Sequence, residues 1–142
     1  MHVTKHTDVG LWVLMYLGKR KGEICNISDI AVKVNVSRNH LVKVVHKLAL
    51  LGYIQSKQGR GGGISIDGDL SEIRVGDVVR DMEVNLTIVD CSTRSCPLTP
   101  SCILKRALSE ATVAFMDVLD KYTLEDLIRN KRTLIRLVGE AG

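Results

Sequence analysis

Apolar residues in the N-terminal third of this chain recur at helical spacing and predict consecutive helices. From Thr7 to Leu17 they gather on one side of a helical projection, with Thr7 placed to cap the start and Gly18 to end the helix. A second, shorter helix is predicted in the stretch ISDIAVKV, where Ser28 can cap the start and Asn35 ends the pattern.

A third helix is predicted in SRNHLVKVVHKLALLG, with Ser37 as its cap and Gly52 as its stop. Its apolar residues follow the i, i+3, i+4, i+7 pattern of a helix with one buried face: Leu41, Val44, Val45 and Leu48. The opposite face is polar and basic. This helix therefore has one side for a core and one side for solvent or a partner.

Two short runs, YIQS and GISI, follow the third helix and can form strands. The loop that joins them contains four glycines between Gly59 and Gly63, which predicts a hairpin with a flexible basic tip. Closely spaced helices, a helix with a basic face and then a hairpin stand in the order of a winged helix-turn-helix.

The second half of the chain predicts a short helix in EIRVGDVVRDME and a long one from Cys102 to Tyr122. Apolar positions of the long helix step by four and three, as in a seam that faces a partner helix: Leu104, Leu108, Ala111, Phe115, Val118 and Tyr122. An ordinary amphipathic helix that covers its own domain is the alternative. Thr123 and Asp126 predict the start of one further short helix.

These elements predict a mainly α fold with a small β-hairpin wing, in which a winged helix-turn-helix domain is followed by a long dimerisation helix. We expect three units: residues 1–83 as the DNA-binding domain, 84–102 as a cysteine-containing loop, and 103–142 as the long helix with a C-terminal helical segment. The chain has 142 residues, of which 45% are hydrophobic and only 4% aromatic, so the core is built mainly from aliphatic side chains.

The charge is compatible with a polyanionic partner, since 20 Lys and Arg residues stand against 16 Asp and Glu, a formal net charge of +4, and its distribution decides. In the third helix Arg38, Asn39 and His40 occupy the first turn, which meets base edges in a recognition helix, and Lys43 is placed for phosphate. A solvated polar face is the alternative. The predicted interface with double-stranded DNA comprises Ser37, Arg38, Asn39, His40, Lys43, Lys57 and Arg60.

The glycine loop supports the DNA interpretation, because glycines bring backbone close to a surface while Arg60 can enter a narrow minor groove. A phosphate-binding loop of a nucleotide enzyme is disfavoured, since that loop joins a strand to a helix and this one joins two strands. The chain also lacks a nucleophile elbow or cofactor fingerprint. We therefore do not expect an enzyme.

The N-terminal apolar stretch is interrupted by Asp8 and has no signal-peptide pattern, so we expect a cytoplasmic protein that does not bind membranes. In that compartment the cysteines of DCSTRSCPLTPSC favour metal binding over disulfides. Cys91, Cys96 and Cys102 lack the Cys-x-x-Cys spacing typical of zinc, whereas an iron-sulfur cluster tolerates it. A fourth ligand must come from elsewhere, and Cys25 is more typical of a small buried apolar residue.

The chain resembles the family of winged-helix repressors that carry an iron-sulfur cluster, and most closely its nitric oxide-sensing, NsrR-type branch. Five segments carry the resemblance: TDVGLWVLMYL, VSRNHLVKVVHKLALLGYI, GRGGGI, IRVGDVVRDME and the C-x4-C-x5-C motif ahead of the long helix. The resemblance implies a homodimer on a palindromic operator. It also implies a cluster bound by Cys91, Cys96 and Cys102, with Asp8 of the other subunit as fourth ligand; four irons are favoured over two.

Nitrosylation or loss of the cluster would, by this resemblance, relieve repression. A cluster-assembly branch of the family has a His where this chain has Lys105, and a cysteine-metabolism branch lacks the three cysteines, so both are disfavoured. A general redox or iron-sulfur-status regulator remains an alternative to the nitric oxide sensor. A cluster-free DNA-binding protein switched by thiol oxidation is a further one.

Overall fold

The computed structural model describes residues 2–92, 95–130 and 132, and within them the chain forms six α-helices and one two-stranded antiparallel sheet. This confirms the mainly α fold with a hairpin wing. The end of the predicted C-terminal segment, at 131 and 133–142, lies outside the described residues, as do positions 93 and 94 of the cysteine-containing loop. In chain order the elements are α1 (Lys5–Lys19), α2 (Ile27–Val34), α3 (Arg38–Leu50), β1 (Gln55–Lys57), β2 (Gly63–Ser65), α4 (Val75–Met82), α5 (Ile103–Leu119) and α6 (Leu124–Arg129).

Helix α1 begins earlier and ends later than the sequence predicts. Thr4, not Thr7, is its N-cap: the Thr4 hydroxyl accepts a hydrogen bond from the Thr7 N–H at 3.4 Å, and Thr7 itself is buried. Gly18 does not end the helix, which continues to Lys19. Gly18 instead lies against neighbouring apolar groups, so that an added Cβ would meet Leu70 Cδ1 at 3.4 Å.

Helices α2 and α3 are joined by the tight turn that the sequence predicts. The N-cap of α2 is Asn26 and not Ser28, because the Asn26 side chain accepts from the Ser28 N–H at 2.8 Å. Asn35 ends α2 in the left-handed region, with φ of 56°, as predicted. Ser37 caps α3 as predicted, by accepting a hydrogen bond from the His40 N–H at 3.1 Å.

The main core gathers the apolar faces of α1, α2 and α3 against the wing and α6. The predicted stripe of α3 is buried throughout, since Leu41, Val44, Val45 and Leu48 are at most 4% exposed. The wing is anchored to this core at its base, where Cys25 and Ile64 exchange backbone hydrogen bonds of 2.8 and 2.9 Å. Burial of aliphatic surface of this kind is the main term that stabilises the fold.

Helix α5 attaches to the rest of the chain through a smaller apolar cluster formed by Val75 and Val79 of α4 and Met116 of α5. The long helix is shorter than predicted, running from Ile103 to Leu119, with Cys102 as its N-cap. All residues of α5 are described, and Met116 is the one buried residue among them. Several of its apolar residues face solvent in the single chain: Ile103, Leu104, Ala107, Ala111, Val113, Ala114 and Val118.

The predicted helix after α5 is confirmed as α6, and Thr123 and Asp126 form a complete capping box at its start. Leu124 places this helix in the main core, where α6 packs on α1. The helices of the described residues include none that combines the length and the apolar character needed to cross a membrane.

Candidate nucleic-acid interface and metal site

The first turn of α3 presents polar side chains to solvent. Arg38, Asn39 and Lys43 are exposed, whereas the Ser37 hydroxyl already serves as the cap of the helix. The Arg38 side chain is held to α2, because its Nε donates to the Ser28 hydroxyl at 3.1 Å. With Nε occupied, the terminal nitrogens of the guanidinium stay available for a base edge or a phosphate.

His40 is more enclosed than its neighbours on α3. Its side chain is half buried, and its ring centroid lies 6.1 Å from that of His6 in α1. Burial is the largest of the causes that hold the pKa of His6 below its usual value, and the nearby His40 and Lys47 lower it further. His6 is therefore uncharged at neutral pH, and the two helices meet here without a repulsive pair of imidazolium ions.

The wing tip places Lys57 and Arg60 in solvent. Gly59 and Gly61 flank Arg60 with φ of 87° and 69°, a backbone conformation that L side chains rarely adopt. A Cβ at Gly62 would collide with the Lys57 carbonyl. The loop therefore needs glycine at these positions, and these glycines hold the exposed Arg60 at the tip.

Arg60→Ala is expected to weaken binding to specific DNA by about 1 to 3 kcal/mol if the guanidinium contacts a base, and to relax selectivity at that position. Because Arg60 is exposed, the thermal unfolding midpoint should stay unchanged. Titration of labelled duplexes at several salt concentrations measures both the affinity and the salt dependence. Equal affinity of the variant and the native chain at low salt would argue against a role for the wing.

The four cysteines divide into two classes. Cys25 is 8% exposed within the main core, and burial raises the pKa of its thiol. Cys91, Cys96 and Cys102 are half buried and lie outside both apolar clusters. All four are described, and each is a free thiol. The three clustered cysteines thus have no packing role that competes with metal binding, whereas Cys25 has one.

The cysteine-containing loop has local structure at both of its ends. Near its start, the Ser92 N–H donates to the Asp90 carboxylate at 2.9 Å. At its end, Cys102 is the N-cap of α5, and its side chain makes no capping hydrogen bond. This sulfur is therefore not engaged at the helix end and is available as a ligand.

The single chain does not assemble a complete metal site: among the described residues no group of three or more His, Cys, Asp or Glu side chains is placed to hold a metal ion. The donor chemistry nevertheless fits an iron-sulfur cluster, which thiolates bind. Three free thiols stand within twelve residues of one another on one loop. A fourth ligand from another chain is compatible with this arrangement.

Asp8 is exposed in the first turn of α1, where its N–H donates to the Thr4 carbonyl at 2.9 Å. Sequence reasoning missed Glu83, whose carboxylate accepts from the Thr4 N–H at 2.7 Å and from the Thr4 hydroxyl at 2.9 Å. Burial would raise the pKa of Glu83, but the hydrogen bonds from Thr7 and Thr4 outweigh it and hold that pKa below its usual value. Glu83 thus ties the turn that carries Asp8 to the start of the cysteine-containing loop.

Comparison with known proteins bears on what these sites do. Residues 3–130 match the model of the Rrf2 family, described as "Iron-dependent Transcriptional regulator". The chain is 44% identical, over 97% of its own length and 97% of the relative, to the HTH-type transcriptional regulator NsrR of Bacillus subtilis strain 168.

Solved structures share the fold. The oxidized form of Staphylococcus aureus CymR aligns with a TM-score of 0.74 and 27% identity over 92% of this chain and 98% of that one. T. potens IscR aligns with a TM-score of 0.71 over 91% of this chain and 87% of that one, at 22% identity, and supports the fold alone. The NsrR relative is named as a transcriptional regulator, and the family model describes transcriptional control rather than catalysis.

Proposed function

This chain belongs to the Rrf2 family of transcriptional regulators, and from that premise we propose that it is a cytoplasmic repressor that senses nitric oxide through an iron-sulfur cluster. Family membership makes it a DNA-binding transcriptional regulator and not an enzyme. The nitric oxide signal, the cluster and the homodimer go beyond family membership and are what we propose.

One observation carries the proposal: the three cysteines ahead of α5 are free, half buried and outside the core, whereas the fourth is a core residue. Thiols that stabilise a fold by packing are buried, as Cys25 is. Cys91, Cys96 and Cys102 are instead available as ligands on one loop, at the start of the helix that we assign to dimerisation.

In this proposal the three thiolates come from one subunit and the Asp8 carboxylate from the other. The bound cluster would supply iron that reacts with nitric oxide. Asp8 is exposed, and its helix turn is fixed by the hydrogen bonds between Thr4 and Glu83, so its carboxylate can reach a partner without rearrangement of its own chain. An oxygen ligand holds such iron less firmly than a thiolate does, which suits a site that must respond to a small molecule.

Repression follows from how this link positions α3. With Asp8 of one subunit held at the cysteine-containing loop of the other, the two α1 helices are fixed relative to each other, and each α1 packs on its own α3. Both recognition helices then enter successive major grooves of a palindromic operator. Release of Asp8 removes the fixed separation and shifts the population toward dimers that do not fit the operator.

The test is anaerobic purification followed by visible absorption, iron and sulfide analysis, and operator binding, all measured before and after addition of nitric oxide. We expect a coloured protein with iron and inorganic sulfide that bleaches and releases DNA in the same samples. A protein that keeps its colour while releasing DNA, or the reverse, would separate the cluster from the switch and contradict the proposal.

A thiol switch without a metal is a second candidate. It is also favoured by the three free, half-buried thiols on one loop. The structure of Staphylococcus aureus CymR, which shares this fold, was solved in an oxidized form. Iron content separates the two candidates. A colourless, iron-free protein that loses DNA affinity on oxidation and recovers it with dithiothreitol would support the thiol switch.

A further inference from the structure

Helix α5 is joined to the DNA-binding domain at its C-terminal end. There the Val75 N–H donates to the Tyr122 carbonyl at 2.9 Å, and the Leu124 N–H donates to the Ile73 carbonyl at 2.8 Å. These bonds attach the start of α4 to the short segment between α5 and α6. The orientation of α5 relative to the DNA-binding domain is therefore set at this junction, where α4 meets the C-terminal end of α5.

Side chains lock the same junction. Both terminal nitrogens of Arg80 in α4 donate to the carboxylate of Asp120, the C-cap of α5, at 2.8 and 2.6 Å. This two-pronged geometry fixes the orientation of both groups, unlike a single-point ion pair. Arg80 holds the pKa of the Asp120 carboxyl below its usual value, so the pair stays ionised at neutral pH.

A glycine makes room for this ion pair. Gly76 is the second residue of α4, and a Cβ at this position would collide with the Asp120 carboxylate. Glycine lowers the stability of a helix relative to alanine, and the φ of Gly76 is not positive, so backbone conformation does not require it. The close approach of Asp120 is the physical reason for glycine here.

Local helix chemistry gives no reason for the acidic residues at the end of α5. Asp117 and Asp120 stand at the C-terminal end of α5, where the helix dipole disfavours acids, and the last turn of α5 contains no basic residue. The N-cap of α4, Arg74, makes no side-chain capping bond. Residues that violate local rules together indicate a tertiary role, which the Arg80–Asp120 pair supplies.

The ion pair lies at one end of a long helix, so a change in its geometry has its largest effect at the other end. Helix α5 has 17 residues and so spans about 25 Å. Its buried contact with α4 is centred on Met116, near the same end, while Ile103, Leu104 and Ala107 at the other end are exposed. A small rotation at the junction therefore displaces the far end of α5, where the cysteine-containing loop ends, by several times as much.

We propose that Arg80 and Asp120 are positioning residues that set the spacing between the two recognition helices, and so determine which half-site separation the regulator accepts. This inference rests on the proposed homodimer, in which α5 pairs with its counterpart. It does not depend on the cluster or on nitric oxide. Each subunit contributes one such ion pair, so the angle of each DNA-binding domain relative to the dimer axis is held independently.

The test uses an operator selected from random duplex DNA by the full-length protein, resynthesised with one or two base pairs added or removed at its centre. For Asp120→Asn we expect the preference for the native spacing over the altered spacings to fall by about three- to tenfold, the range of a well-formed surface ion pair counted once per subunit. Gly76→Ala should have the same effect because its methyl group displaces Asp120, although alanine favours the helix. Arg80→Lys keeps the charge but loses the paired hydrogen bonds to Asp120, so its preference for the native spacing should lie between that of these variants and that of the native chain.

Asp77→Asn is the matched control. Asp77 also pairs with Arg80, at 3.2 Å, but both residues belong to α4, so this pair does not join α4 to α5. This variant should keep the native preference for spacing. Sedimentation of every sample verifies that each variant is dimeric, and a monomeric native protein would overturn the inference together with the proposed homodimer. Unchanged spacing preference in dimeric Asp120→Asn and Gly76→Ala would overturn the inference alone.

Discussion

Serine in place of Cys96 is expected to give a folded protein that purifies without colour and with little iron or sulfide. A serine hydroxyl does not ionise near neutral pH and is a poor ligand for iron in place of a thiolate. Because Cys96 is half buried and outside the apolar clusters, the free energy of unfolding of the metal-free chain should barely change. Operator affinity should fall by roughly 5- to 150-fold, the usual range for coupling between two sites.

Cys25→Ala is the control for this prediction. It also removes one thiol, but from the core, where the loss of the sulfur destabilises the fold by on the order of 1 kcal/mol. Its colour, iron content and operator affinity should match those of the native chain. Cys91→Ser and Cys102→Ser should behave as Cys96→Ser does. Full iron content in any of the three serine variants, or loss of iron in Cys25→Ala, would contradict the assignment of ligands.

The helices of the DNA-binding half could be predicted from sequence because their signals are local. The apolar stripe of α3 repeats at helical spacing, and Ser37 and Asn35 act on residues within a few positions of themselves. The two incorrect caps have a common cause. Thr4 and Thr7, like Asn26 and Ser28, are pairs of capping residues within one turn, and propensity does not distinguish which member accepts the hydrogen bond.

The contacts that join separate segments could not be predicted in the same way. Glu83 accepts hydrogen bonds from Thr4, the N-cap of α1, across 79 residues of sequence, and Arg80 pairs with Asp120 across 40, so no periodic pattern connects the partners. Gly76 carried a signal, since a glycine inside a short amphipathic helix has a local energetic cost. That signal indicates close packing but does not identify the group that packs there.

The proposed metal site is a different case, because its four ligands are not expected in one chain. The C-x4-C-x5-C spacing predicts three donors on a loop, and the structure adds that these thiols are free and that Cys25 is committed to the core. The assignment of Asp8 rests on the family resemblance. Its exposure in the first turn of α1 is compatible with a ligand and equally with a simple first-turn acid.

Glutamate in place of Ala111 is expected to abolish dimerisation and, with it, high-affinity operator binding. Ala111 is exposed at the middle of α5 and belongs to the predicted seam, and its small side chain allows two helices to approach closely. Glutamate forms helices nearly as well as alanine, so the helicity and the unfolding of the single chain should be little affected. In a dimer, however, it would bring two unpaired carboxylates into an apolar contact.

Sedimentation and operator titration together test the effect of this substitution. Loss of one half-site contact from a two-site complex should reduce operator affinity by about 10² to 10⁴-fold, while weak binding to a single half-site persists. Ser109→Glu adds the same charge at an exposed position about 160° away around the helix, off the predicted seam, and should leave the dimer intact. If Ala111→Glu were to sediment as a dimer and bind the full operator normally, the exposed apolar face of α5 would not be the dimer interface, and the route from Asp8 to the spacing of the recognition helices would need another contact surface.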